Sequence, residues 1–314
     1  MDVTTGLPVS RIGDVTAAKT AGWLIEDLWC EEAAGIIGGQ PKCCKSWLGL
    51  DLAVSVASGT ACLGRFPVLT PGPALIFLAE DSLEQVRKRV EGICQSRGLE
   101  LKKLDLSIIT SPLLRLDSQE DQERLTETVG TLKPKILLLD PLVRLHRLDE
   151  NNARDISGLL GFLRALQRQH HCAIILTHHS SKRACARPGQ GLRGSSDLHA
   201  FGDSNIYLSK RNDDVELAVE HRAASAPPTI TLRLQPLGET AYLKILDTHQ
   251  ISVPTEDSID QRIISHLKQY PTPIQKSELR QAMRINNQRL GVALANLQTR
   301  GILHRNDNGW QLNH

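Results

Sequence analysis

The sequence predicts an α/β protein with a mostly parallel sheet, antiparallel edge strands and a small helical module behind it. Three observations carry this expectation. Short, nearly continuous apolar runs recur along the chain, as strands buried on both faces of a parallel sheet require. Segments with a helical apolar period lie between them. After Lys210 the pattern becomes a two-residue alternation, and after residue 257 it returns to helices.

Each element follows in order. AAGIIGG (33–39) is a strand run and leads into a helical pattern at 45–58. ALIFLAE (74–80) leads into a helix over 82–97, and a helix over 118–132 precedes KILLLD (135–140). The helix over 153–170 places Ile156, Leu159, Leu160, Leu163 and Leu166 on one face and precedes CAIILTHH (172–179), and NIYLSK (205–210) is the last of the runs. Residues 215–222, 229–234 and 241–246 alternate apolar and polar side chains, with Pro227-Pro228 and Gly238 between them, as antiparallel edge strands do. QISVPTED (250–257) has no periodicity and reads as a linker. Helical patterns at 258–269, 276–283 and 287–300, then two short strand-like pieces around NDNG, resemble a winged helix-turn-helix. The expected domains are therefore 1–249, a linker at 250–257, and 258–314.

Composition narrows the function. With 40% hydrophobic and 23% charged residues in 314, wholesale disorder, collagen and coiled-coil classes are excluded. The 37 basic and 35 acidic residues leave a net charge of +2, so affinity for nucleic acid has to come from local clusters. Cysteines stand at 30, 43, 44, 62, 94, 172 and 185, an odd number without C-x-x-C spacing, which argues against a disulfide framework and a structural zinc. The stretch MDVTTGLPVSRIGD lacks the apolar core of a signal peptide, and no run approaches the roughly 18 apolar residues of a membrane span. The expectation is a cytoplasmic protein with no membrane partner.

The sharpest motif is GGQPKCCKS (38–46), after a strand run and opening a helix. Against G-x-x-x-x-G-K-[ST] it matches at Gly39, Lys45 and Ser46 and departs at Cys44, where the pattern has glycine. A nucleotide phosphate needs converging backbone N–H groups, a helix N-terminus, a lysine and a hydroxyl for Mg²⁺, and this context supplies each. Gly39, Gln40, Pro41, Lys42, Cys43, Cys44, Lys45, Ser46 and Trp47 are the expected ATP-binding residues. A side chain at Cys44 costs about 1 kcal/mol or more if that position takes a positive φ. Asp140, at the end of its strand, is expected to join Ser46 in holding Mg²⁺, and Glu80, at the end of another, to orient or deprotonate the attacking water. Asp81 is the rival for that second role. His178-His179 ends a further strand; side chains of adjacent strand residues point to opposite faces, so the pair does not grip one metal. One of them, His178 in the first instance, is a candidate sensor of the γ-phosphate. The loop SSKRACARPGQGLRGSSD carries Lys182, Arg183, Arg187 and Arg193 with no acid before Asp197, and suits a phosphodiester backbone or else a solvated loop.

The ordered set G-x-P-K-x-x-K-S, LIFLAEDS, KILLLDPLVRLH and IILTHHSSK resembles the RepA-type branch of RecA-fold P-loop ATPases, a fold shared with DnaB-type helicases, RecA recombinases and KaiC-like proteins. The resemblance spans about residues 20–250. It implies a RecA-like P-loop NTPase core that binds ATP and Mg²⁺ and assembles as a homo-oligomer, a hexamer by preference, around single-stranded DNA in a central channel. It implies that Lys45 and Glu80 are catalytic, that His178 or His179 is the strand-end sensor, and that loop 180–196 faces DNA. ELAVEHR, followed by SAPPTITLRL, is similar to the DnaB-type segment that reaches a neighbouring subunit's ATP, which makes Arg222 an arginine finger acting in trans; Glu220 stands where that family has lysine. In the C-terminal module, Asn286, Asn287, Gln288, Arg289, Gln298 and Arg300, with His304 and Arg305 on the wing, suit duplex DNA, with Arg289 as the base-reading candidate; the alternative for a winged helix is a protein-docking unit. Two further readings compete with a helicase motor: a weakly hydrolysing, nucleotide-switched DNA-binding or loading factor, and a KaiC-like regulator without nucleic acid.

Overall fold

The computed structural model describes residues 9–14, 22–150, 152–179, 196–246, 263–268, 270, 272–283, 287–306 and 309–313, with the backbone alone at 153, 154, 196, 281, 283, 287–289 and 292. The chain divides into two compact units, 1–246 and 247–314.

In the first unit a short 3-10 turn (Ile12–Asp14) is followed by the hairpin β1 (Trp23–Ile25) and β2 (Trp29–Cys30). Then come β3 (Ala34–Gly39), α1 (Lys45–Ser58), β4 (Ala74–Leu78), α2 (Leu83–Ser96), β5 (Leu106–Ile108), α3 (Gln119–Leu132), β6 (Ile136–Asp140), α4 (Ala153–His170) and β7 (Ala173–His179). α5 (Ser196–Phe201) leads into β8 (Ser204–Arg211), β9 (Asp214–His221), β10 (Ile230–Leu237) and β11 (Thr240–Ile245). Strands β3 to β11 form one nine-stranded sheet in the order β11-β10-β9-β8-β3-β7-β6-β4-β5. All pairings from β8 across to β5 are parallel, and those among β8, β9, β10 and β11 are antiparallel. The fold is thus α/β with a large, mostly parallel sheet and antiparallel strands at one edge.

Period-two alternation sends the central strands' side chains into two cores. Ile37, Ile76, Leu78, Ile136, Leu138 and Ile175 pack on the α1 and α2 face, whereas Ile36, Leu75, Phe77, Leu137, Leu139, Ile174 and Leu176 pack with α3 and α4. This is why each run reads as continuously apolar: both faces are covered. The α1 face carries a buried ion pair, Arg97 to Asp51 at 2.5 Å, with Arg97 also donating to Ser55 Oγ and Thr60 Oγ1. α2 starts on a capping box in which the Ser82 hydroxyl accepts from Gln85 N–H and the Gln85 side chain accepts from Ser82 N–H. α1 ends at Gly59, whose positive φ of 72° turns its N–H onto the Ser55 carbonyl at 2.8 Å.

In the second unit, helical residues 263–267, α6 (Lys276–Met283), α7 (Asn287–Thr299) and the hairpin β12 (Leu303–Asn306) to β13 (Gly309–Leu312) surround a small core of Ile263, Leu267, Leu279, Leu290, Leu294, Leu297, Leu303 and Trp310. Among the described residues, no helix is long and apolar enough to cross a membrane.

Candidate nucleotide site

β3 delivers the chain to the P-loop at its C-terminal end, with β7 on one side and β8 on the other. Gly39 has no room for a side chain: a Cβ there would stand 2.5 Å from Cys43 Sγ and 2.6 Å from the Leu208 carbonyl oxygen. Two loop residues lie in the left-handed region, Lys42 at φ 62° and Cys44 at φ 66° and ψ 24°. Cys44 is the N-cap of α1 and makes no side-chain capping bond. The glycine position of the motif therefore has the backbone that glycine serves, occupied by a residue with a Cβ.

Lys45 opens α1 almost fully buried. Its Nζ donates to the carbonyls of Gly39 at 3.1 Å and Gln40 at 2.8 Å and lies 3.4 Å from His179 Nδ1. Asp140, at the end of β6, is 5% exposed, accepts from the Thr177 hydroxyl and is hydrogen-bonded to Ser46. Burial pushes the Asp140 carboxyl up, with Asp81 adding like charge; the bonds from Ser46 and Thr177 and the Lys45 ammonium act in the opposite direction. A buried carboxylate beside a serine hydroxyl, both hard oxygen donors, fits Mg²⁺, which is bound through one or two carboxylates plus substrate phosphates.

Strand periodicity decides between the two histidines. Thr177 and His179 project on the P-loop face of β7, while His178 lies on the α4 face with Ile174 and Leu176. His178 is buried beside Glu150, so the histidine that reaches Lys45 is His179.

Glu80 is about half exposed just past β4, and its Oε1 accepts from Arg144 Nε at 2.7 Å. Asp81 is bound by both terminal nitrogens of Arg89, at 2.7 and 2.8 Å, and Arg89 also lies over the Trp47 ring at 5.4 Å. Of the two acids, Asp81 is the one whose charge is felt at Asp140. Arg222 is tied within its own chain, 3.1 Å from Asp203 Oδ1 and donating to the Ala200 carbonyl; Asp203 also accepts from Arg164. Glu220 pairs with His199 at 3.1 Å. Lys182, Arg183, Arg187 and Arg193 lie outside the described residues, and of Arg289 only the backbone, within α7, is described.

Sequence reasoning missed Thr177, Arg144, Arg89 and Asp203. Thr177 carried a signal, two residues before His179 and so on its face of the strand. The arginine and aspartate partners are distant in sequence from the residues they hold and left no local pattern.

The sequence profile of the family described as AAA domain matches residues 7–184, over half of the chain, including the P-loop, Glu80, Asp140 and both histidines. The chain belongs to the AAA domain family. The matched region covers the P-loop and most of the parallel part of the sheet, and that large, mostly parallel sheet is the α/β architecture the apolar runs led us to expect. Among solved structures, the chain is similar to the RadB recombinase at 15% identity, covering 65% of this chain and 88% of that one, with a TM-score of 0.48.

Proposed function

We propose that the protein is an oligomeric, DNA-stimulated ATPase of the RepA type that moves along single-stranded DNA and opens duplexes as a helicase. The observation that carries this reading is the convergence of Lys45, Ser46, Asp140, Thr177 and His179 at the ends of β3, β6 and β7, the edge at which α/β sheets bind ligands. Lys45 would hold the terminal phosphates, His179 would stand where the γ-phosphate leaves, and Thr177 fixes the Asp140 carboxylate. Ser46 and Asp140 would hold Mg²⁺, which when bound neutralises phosphate charge. Glu80 would take the proton of the attacking water, for which it must turn from Arg144. Arg222 would reach a neighbouring subunit's ATP, for which it must leave Asp203. Loop 180–196 would line the channel, and the C-terminal unit would be a winged helix that reads duplex DNA through Arg289.

The second reading, a weakly hydrolysing nucleotide-switched DNA-binding or loading factor, draws on two observations: the side chain at Cys44 with φ 66° and the pairing of Glu80 with Arg144. Turnover measured with and without single-stranded DNA, a strand-displacement assay, and mass in solution separate the two. The motor reading expects a ring with Mg·ATP and turnover stimulated by single-stranded DNA. Tight nucleotide binding with turnover that DNA leaves unchanged would refute it.

A further inference from the structure

On the sheet face opposite the P-loop, three titratable side chains that the proposed chemistry does not use meet in the interior. His178 leaves β7 on that face; His146 follows the 3-10 turn Leu142–Arg144; Glu150 stands just ahead of α4. The two imidazoles are 1% exposed and the carboxylate 17%. One oxygen, Glu150 Oε1, lies 3.6 Å from His146 Nε2 and 3.6 Å from His178 Nδ1. His146 Nδ1 accepts the Leu148 N–H at 3.2 Å, so in the neutral ring the proton sits on Nε2, aimed at Glu150. That tautomer also leaves His146 without a lone pair to offer a metal at this point. Burial opposes the Glu150 charge, yet the neighbouring imidazoles of His146, His178 and His179 hold the Glu150 carboxyl below its ordinary range.

The cluster ties together two segments that both serve the nucleotide site. β7 carries Thr177 and His179 on one face and His178 on the other, with His178 paired in register with Gly38 and His179 with Gly39. The connection after β6 runs from Asp140 through Arg144 and His146 to Glu150. The shared Oε1 atom is itself buried and faces one imidazole from each segment, so displacing either ring takes away a polar neighbour that offsets its burial, and the three groups resist moving separately.

We propose that Glu150 is a positioning residue for the nucleotide site: it anchors His178, and so the end of β7 from which His179 faces Lys45, and through His146 it couples that edge to the segment after Asp140. The inference rests on the P-loop being a nucleotide site. The test is NMR of the full chain carrying ¹³C-labelled histidine, titrated with Mg·ATPγS, with resonances assigned through single His→Gln variants at 146, 178 and 179. Nucleotide is expected to move the His146 and His178 signals together with His179. E150A should weaken Mg·ATPγS binding about fivefold or more and silence the His146 response. E150Q keeps an acceptor oxygen facing both rings and should retain most of the affinity. In a double-mutant cycle with H179A, the E150A effect should largely vanish. A wild-type chain in which His179 responds and His146 does not overturns the coupling while leaving the nucleotide site intact, and the wild-type pattern decides this even where E150A does not fold. A chain that takes up no Mg·ATPγS at millimolar concentration by calorimetry removes the nucleotide reading and this coupling with it.

Discussion

Replacing Cys44 by glycine isolates the energetic consequence of the P-loop's departure from its motif. Cys44 sits at φ 66° and ψ 24°, a conformation that costs an L-residue about 1–2 kcal/mol. Glycine removes that cost but returns about 0.5–1 kcal/mol through its greater freedom in the unfolded chain. It also gives up the half-buried thiol, which packs against the α1-face core, at about 0.5–1 kcal/mol. These terms nearly cancel, so C44G alone should change stability little. C44A is the informative partner, because it loses the thiol and keeps the strained backbone. The difference between the two variants contains strain, unfolded-state freedom and the half-buried alanine methyl, and should leave glycine level with alanine or ahead by up to about 1 kcal/mol. That corresponds to at most about 4 °C in melting temperature for a unit of this size. Urea denaturation of both variants with a common slope measures it. An alanine variant more stable by about 1 kcal/mol, the order that unfolded-state freedom and the methyl would give without strain, would refute the strain argument.

Three further outcomes follow from the same geometry. K45A removes the ammonium held by the Gly39 and Gln40 carbonyls and should abolish Mg·ATP binding in calorimetry while the chain stays folded; retained affinity within about tenfold, roughly 1.4 kcal/mol, would sink its assignment. R97M strands Asp51 in the core and should cost about 3–5 kcal/mol in urea denaturation, and a loss under about 1 kcal/mol would show the pair to be dispensable. Burial depresses the His221 imidazole below its ordinary 6.5, with the Asp27 carbonyl opposing, so the unfolded chain binds more protons. Stability from this group is therefore present above 6.5 and falls as pH drops through that value towards the depressed one; H221Q should flatten that part of the melting-temperature profile.

Much of the sheet was legible because parallel strands covered on both faces leave continuous apolar runs, and β3, β4, β6, β7 and β8 fall on the five runs that were read. The hairpin β1–β2 and the strand β5 left no such trace. They are two or three residues long, and β5 is a half-buried edge strand, so neither periodicity nor run length marks them. The P-loop was readable by spacing, and the positive φ at Cys44 could be anticipated from the glycine it replaces. The alternation of His178 and His179 was also readable, but which of them faces Lys45 depends on which sheet face α1 covers, and that is set by long-range packing. The partners of Glu80 and Arg222 are of the same kind: Arg144 and Asp203 reach them through the fold and not through local spacing.

The site divides by how firmly its groups are held. Lys45 and Asp140 are buried and fixed by Gly39, Gln40, Thr177 and Ser46, so the part that would capture a nucleotide is already in place. Glu80 and Arg222 are about half exposed and engaged in ion pairs with Arg144 and Asp203. Exposed pairs of this kind are worth about 0–1 kcal/mol, so a phosphate, a nucleic-acid backbone or a neighbouring subunit can displace either at little cost. Breaking the buried set would cost several times as much. On the proposed function, an isolated chain therefore captures nucleotide with preset groups and turns it over poorly, and hydrolysis waits on whatever draws Glu80 from Arg144 and Arg222 from Asp203.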